Sequence, residues 1–190
     1  STCETSGNYK MRIAVFASGS GSNFEALAQA FPAEVQLLFS DKIKAYALQR
    51  AQQLKIAAVS FTLKSFADKQ SYEEALVALL REHQIDLICL AGYMKIVGPT
   101  LLQAYEGRII NIHPSYLPAF AGSAHALEES WQAQEGLGIT VHWVDSGVDT
   151  GEILAQQQLD YYPELAEYEK KLHQTEHELY IKVVEELIKK

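Results

Sequence analysis

Cysteine is scarce in this chain of 190 residues, which holds two of them. Cys3 precedes the first apolar run, and Cys89 lies inside the apolar stretch "IDLICLAG". Two such residues cannot build a disulfide framework, and a thiol among aliphatic side chains is packing rather than a nucleophile. A reducing, cytoplasmic compartment is expected. No apolar run approaches the roughly 20 residues of a membrane-spanning helix, so no membrane partner is expected. No secretory apolar region precedes Met11, and residues 1–10 read as a loose tail or an expression remnant. Basic residues are outnumbered, 16 Lys and Arg against 24 Asp and Glu, and they form no cluster, which disfavours nucleic acid as a partner. His83, His125 and His142 lack His-x-x-x-His or Cys-x-x-Cys neighbours, and no metal site is expected. A Gly-x-Ser-x-Gly elbow is missing as well.

What the chain does hold is a succession of short apolar runs with helical patterns between them. "MRIAVFAS", "VQLLFS", "AAVSFT", "IDLICLAG" and "RIINI" read as strands. "NFEALAQAF", "AYALQRAQQL", "KQSYEEALVALLREH" and "PTLLQAYE" read as the helices between them. That alternation predicts parallel strands with helical crossovers. After residue 120 the rhythm changes. "AHALEESWQAQ" is helical, and "GITVHWV" and "EILAQQQLDY" are strands joined by the glycine-containing "DSGVDTG", which suggests a hairpin. The expected fold is α/β: an open, twisted, mostly parallel sheet with a Rossmann-like N-terminal half. Mixed or antiparallel C-terminal strands, helices on both faces and a long C-terminal helix from about 164 to 189 complete it. No repeat or linker interrupts 11–190, which reads as a single domain.

The turn "SGSGSN", 18–23, joins the first strand to the first helix. Gly19 and Gly21 permit a tight turn, the helix N-terminus directs unpaired N–H groups at an anion, and Ser22 and Asn23 add donors or a cap. A capped turn without ligand is the plainer alternative. Dinucleotide binding is the rival, with Asp41 at a ribose-contacting distance, but position 24 is Phe where that fingerprint needs a small residue. No Walker lysine is present, and a single phosphate fits better than a pyrophosphate.

"IINIHPSYLP", 109–118, ends an apolar strand with Asn111 and His113. Residues two apart on a strand share a face, and the C-terminal ends of parallel strands are where open α/β sheets bind ligands. An Asn amide can donate to an incipient oxyanion, and a neighbouring His can donate or act as general acid or base. With no nucleophile in the chain, the attacking group would come from the substrate. Asp149, between Gly147 and Gly151, could orient His113, or could simply be a turn residue; Asp145 fits the turn reading better. In the last helix, Glu176 falls in the apolar stripe of Leu172, Leu179 and Val183, where a carboxylate needs a partner, and His173 is one turn earlier.

Taken in order, "SGSGSN", "AGYMKIVGP", "NIHPSYLPAF", "VHWVDSGVDTGEIL" and "HQTEHELY" resemble the phosphoribosylglycinamide (glycinamide ribonucleotide, GAR) formyltransferases of purine biosynthesis, from Met11 to about Lys190. The resemblance implies a single formyltransferase domain over 11–190. Its 11–113 half would hold the ribonucleotide phosphate, and its 114–190 half the folate loop and C-terminal helix. It implies formyl transfer from 10-formyltetrahydrofolate, as cosubstrate, to the glycinamide amine, without a metal, by a monomer or homodimer. The catalytic residues would be Asn111, His113 and Asp149. GAR would be held by Gly21, Ser22, Asn23, His173, Gln174, Thr175 and Glu176. The folate would lie against Lys69, Met94, Lys95, Ile96, Val97, Asn111, Asp145, Ser146, Gly147, Val148 and Asp149. A formyltetrahydrofolate hydrolase and a non-catalytic mononucleotide-binding module are the alternatives. The chain departs from the family at Ser20 (often Asn), at Lys95 (often Arg), and in "PAFAGSAHAL". There a Pro has become Ala121, and Ser123 reads as inserted.

Overall fold

The computed structural model describes residues 10–190, so the expected tail, apart from Lys10, and Cys3 lie outside the described residues. The described residues hold seven strands and six α-helices, which alternate as far as the sixth strand; the seventh follows it directly. The strands are β1 (Ile13–Phe16), β2 (Val35–Ser40), β3 (Ala57–Ser60), β4 (Leu87–Leu90), β5 (Ile109–His113), β6 (Gly138–Trp143) and β7 (Ile153–Gln158). The helices are α1 (Ser22–Ala30), α2 (Tyr46–Leu54), α3 (Lys69–Glu82), α4 (Pro99–Ala104), α5 (Ala126–Ala133) and α6 (Leu165–Ile188). Each falls where the apolar periodicity placed it, and a short 3-10 turn at Leu63–Ser65 is the one addition. One sheet holds all seven strands in the order β3-β2-β1-β4-β5-β6-β7. The pairs from β3 to β5 are parallel, whereas β5–β6 and β6–β7 are antiparallel, which makes the expected hairpin and the mixed C-terminal edge.

The central strands β1, β2, β4 and β5 read as largely apolar runs because both faces of the sheet are covered there. Ile13, Val15, Leu38, Cys89, Ile110 and Ile112 point into one core with Phe24 and Leu27 of α1, Ala47 of α2, and Leu172 and Tyr180 of α6. Ala14, Phe16, Leu37, Phe39, Ile88, Leu90 and Ile109 point into the other, with Tyr72, Leu76 and Leu80 of α3 and Leu101 of α4. The period of two assigns Asn111 and His113 to the second face. They continue the row of Ile109 towards the strand's C-terminal end, beyond the aliphatic contacts of α3 and α4. Cys89 is fully buried, and burial holds its thiol up at about 12, well above the reactive range, so packing is its role.

Among the described residues no helix is long and apolar enough to cross a membrane. The first core depends on aliphatic volume at the centre of the sheet, so Leu38→Ala should lower the free energy of unfolding by about 2–5 kcal/mol in a urea titration. A loss below about 1 kcal/mol would show that this core collapses around the missing side chain.

Candidate active site

The C-terminal ends of β1, β4 and β5 open into a cleft of about 690 Å³, a size common for small-molecule sites. One end is built from the Gly19–Asn23 turn with His173 and Glu176 of α6, the other from the loop Tyr93–Val97 and the β6–β7 link. Asn111, His113, His142 and Asp149 line it between these ends. The topology explains the meeting: antiparallel pairing sets Asn111 opposite His142 and His113 opposite Thr140.

Asp149 is the hub of this group. Its Oδ2 lies 3.4 Å from His113 Nδ1 and accepts the Gly122 N–H at 2.7 Å, and its Oδ1 lies 3.4 Å from His142 Nε2. His113 Nε2 meets the Phe120 carbonyl at 3.2 Å. A carbonyl only accepts, so Nε2 carries a hydrogen and Nδ1 is the position that gains or loses the proton facing Asp149. His142 Nδ1 meets the Trp143 carbonyl at 2.8 Å, and its Nε2, which faces Asp149, also lies 3.4 Å from Asn111 Nδ2. That contact orients the Asn111 amide. Burial lowers the His113 pKa from its ordinary value, and the Asp149 charge opposes but does not overcome it. Burial alone would raise the Asp149 carboxyl, yet His142, His113 and the Gly122 N–H together hold it below the usual range.

The turn and site readings of Asp149 coexist. It adopts a left-handed φ of 57°, which Asp tolerates, and its side chain points to the histidines. Asp145 follows the turn reading: its carboxylate accepts from Thr150 Oγ1 at 2.8 Å and from the Gly147 N–H at 2.9 Å. The segment Phe120–Ser123, where Ala121 and Ser123 stand out in the sequence, supplies the backbone partners of both His113 and Asp149.

At the other end, Gly21 caps α1 at φ 77° and leaves no room for a side chain, because a Cβ would sit 2.6 Å from that of Ala47. The buried Glu176 Oε1 accepts from Asn23 Nδ2 at 3.4 Å and meets His173 Nδ1 at 2.9 Å, the partner its position demanded. Asn23 Oδ1 is buried without a protein partner. The dinucleotide alternative loses its acidic residue: Asp41 is 4% exposed and engaged by Ser18 Oγ at 2.6 Å and by Lys95 Nζ at 3.8 Å. Phe24, the residue too large for that fingerprint, fills the first core.

Four residues expected at the site do not line the cleft. Gln174 is exposed and Thr175 donates back to the Lys171 carbonyl, because the helical period turns only His173 and Glu176 inward. Ser146 is an exposed residue of the β6–β7 link. Lys69 supports the loop from outside, its Nζ donating to the Ile96 carbonyl at 2.7 Å. Two residues were missed. His142 shows the same signal as Asn111 and His113, polar residues at alternate positions (Thr140, His142) of an apolar strand. His177, four residues after His173, places Nε2 3.2 Å from Ser22 Oγ. Although the two share a metal-pair spacing, His173 faces Glu176 and His177 faces the turn. Among the described residues no group of three is placed to hold a metal.

Residues 11–184 match the family described as Formyl transferase. The chain belongs to the formyl transferase family. It is 44% identical over 185 residues to the phosphoribosylglycinamide formyltransferase of Bacillus subtilis, covering 93% of this chain and 94% of that protein. Among solved structures, phosphoribosylglycinamide formyltransferase from Streptococcus pneumoniae TIGR4 superposes with a TM-score of 0.90 at 55% identity, covering 94% of this chain and 99% of that one. Glycinamide ribonucleotide transformylase 1 from Geobacillus kaustophilus does so with a TM-score of 0.90 at 44% identity, covering 95% and 100%.

The site makes this formyl transferase domain sensitive to acid. His113 is depressed in the folded state, so the unfolded chain takes up the proton first and stability falls as pH drops below about 6.5. Asp149 adds the same sign at lower pH, below about 3.8. His177 is lowered like His113 by burial, whereas His173 is raised by its bond to Glu176, which acts in the opposite direction. Thermal melts from pH 8 to pH 5 on the wild type and His113→Gln isolate the first contribution. The wild-type midpoint should fall more steeply than the variant's, and parallel curves would remove His113 from the linkage.

Proposed function

We propose that the chain is a GAR formyltransferase, moving the formyl group of 10-formyltetrahydrofolate to the glycinamide amine of GAR. The observation that carries this is one continuous cleft joining an anion-binding turn, a polar cluster suited to acyl transfer, and a loop with apolar side chains turned outward. Gly21, Ser22 and Asn23 bind the ribonucleotide phosphate through the α1 N-terminus, with His177 beside Ser22, and Glu176 and His173 take the sugar or glycinamide portion. Met94, Ile96, Val97 and Val148 offer a partly apolar wall of the cleft to the pterin, and Lys95 lies among them. Binding at both ends sets the amine against the formyl carbon in one ternary complex.

As the amine attacks, negative charge grows on the formyl oxygen; the Asn111 amide donates to it, and the nearby His113 ring, once protonated, stabilises the charge. His142 fixes the Asn111 amide. Asp149 supports the protonated form of His113 and, through ordered water, passes the proton lost by the amine towards the departing folate nitrogen. A hydrolase using water as acceptor would have no use for the phosphate turn or for Glu176. The reducing setting suggested by Cys89 suits a cytoplasmic enzyme.

Formyl transfer should therefore depend on GAR, and Asn111→Ala should lower kcat by about 10²–10³-fold while the KM for GAR stays within about twofold. Formate release at the same rate without GAR would sink the transferase assignment. Asn23→Ala, by contrast, should raise the KM for GAR by about tenfold, the loss of roughly one charge-assisted hydrogen bond. An unchanged KM would remove Asn23 from the phosphate site.

A further inference from the structure

The loop from Tyr93 to Gly98 carries Met94 and Ile96 with 57% and 59% of their surfaces exposed. Two apolar side chains held out in this way do not anchor the segment that bears them. The loop has no regular secondary structure, so its backbone polar groups need partners elsewhere. One face of α3 supplies them. Lys69, Tyr72 and Glu73, at helical positions i, i+3 and i+4, reach three points of the loop. Lys69 Nζ donates to the Ile96 carbonyl at 2.7 Å, and the Tyr72 and Tyr93 hydroxyls meet at 2.8 Å. Glu73 Oε2 accepts the Gly98 N–H at 2.6 Å, and its Oε1 accepts the Leu101 N–H at 3.1 Å.

Glu73 is the unusual member. It is 2% exposed, and among the described residues it has no ion-pair partner. A buried carboxylate is costly unless its oxygens are satisfied, and here backbone N–H groups at the start of α4 satisfy them. The contact is close enough that any side chain at position 98 would press on it. A Cβ on Gly98 would lie 2.7 Å from Glu73 Oε1. Its φ of −87° would suit any residue, so a side chain here would meet the Glu73 carboxylate and would push it out of place. The loop's other end is tied independently, the Met94 N–H donating to Ser18 Oγ at 2.9 Å.

We propose that Glu73 is a positioning residue for the folate half of the cleft. It acts through Gly98, setting the height at which the backbone of Met94 to Val97 stands against the pterin. This rests on assigning that loop to the folate. Glu73 is not among the residues lining the cleft and touches no reacting atom, so its removal should tell on folate binding rather than on chemistry or on GAR.

The test is steady-state kinetics with both substrates varied, for wild type, Glu73→Gln, Gly98→Ala, Glu73→Ala, the Glu73→Ala/Gly98→Ala double variant and Ile96→Ala. Glu73→Gln and Gly98→Ala should each raise the KM for 10-formyltetrahydrofolate about tenfold, the KM for GAR staying within about twofold and kcat within about threefold. In the Glu73→Ala background, Gly98→Ala should add less than about twofold, because the group it collides with is gone. If Glu73→Gln fails to fold, Gly98→Ala carries the same reading. The proposal is overturned if both single variants leave the folate KM within twofold, if they depress kcat and both affinities together, or if the double variant is additive. Ile96→Ala separates the two levels. A raised folate KM there, with none in Glu73→Gln and Gly98→Ala, removes the role of Glu73 and leaves the loop assignment standing. A raised GAR KM across all of these variants removes both.

Discussion

Asp149 keeps a negative charge with a side chain only 10% exposed. Without compensation, burial would drive that carboxyl towards its neutral form. Two imidazoles and one backbone N–H hold it ionised, and they arrive from different parts of the chain: His113 from β5, His142 from β6, Gly122 from the loop between them. The same charge is what favours the proton on His113 against burial. Much of the surrounding structure is what is needed to bring these groups within 3.4 Å of one carboxylate.

The reversal of the sheet after β5 makes this possible. A further parallel strand buried on both faces would have carried an aliphatic row like those of β1, β2 and β4. The antiparallel β6 instead sets Thr140 and His142 against Asn111 and His113. Thr140 Oγ1 donates to the Ser115 carbonyl at 2.9 Å and accepts the Leu117 N–H at 3.0 Å, which ties down the chain leaving His113. His142 is left to the site. In the proposed function binding is divided the same way, the glycine turn at the tip of β1 and the clamped loop at the tip of β4 standing either side of the tip of β5. The net charge of −8 disfavours an anionic substrate at long range, so in the proposed function the N–H groups at the α1 N-terminus would have to draw the phosphate in locally.

Periodicity made the framework readable. Strands buried on both faces appear as unbroken apolar runs, and helices such as 69–83 show their stripe directly. Asn111, His113 and Glu176 were legible because each breaks an apolar pattern, and a polar group in such a place needs a reason. His142 gives the same sign within "GITVHWV", but its importance depends on the register between β5 and β6, which is set by long-range pairing and is invisible locally. The Asp149 hub was half legible: a turn between glycines predicts an Asp, not the direction of its side chain. Gln174 and Thr175 were drawn in by adjacency in a motif, where the helical period separates neighbours by about 100°. Glu73 was hidden for another reason, since in "KQSYEEALVALLREH" it looks like one more acidic residue on an amphipathic helix.

The dependence of His113 on Asp149 can be read by following the His113 ring resonances through a pH titration, in the wild type and in Asp149→Asn. In the wild type the midpoint should lie below the ordinary histidine value, because burial outweighs the neighbouring charge. With the carboxylate replaced by an amide, burial would act without its main opponent and the midpoint should fall further. A midpoint that stays where it was, or rises, would mean that Asp149 does not sustain the protonated histidine, and the proposed path of the proton would fail with it.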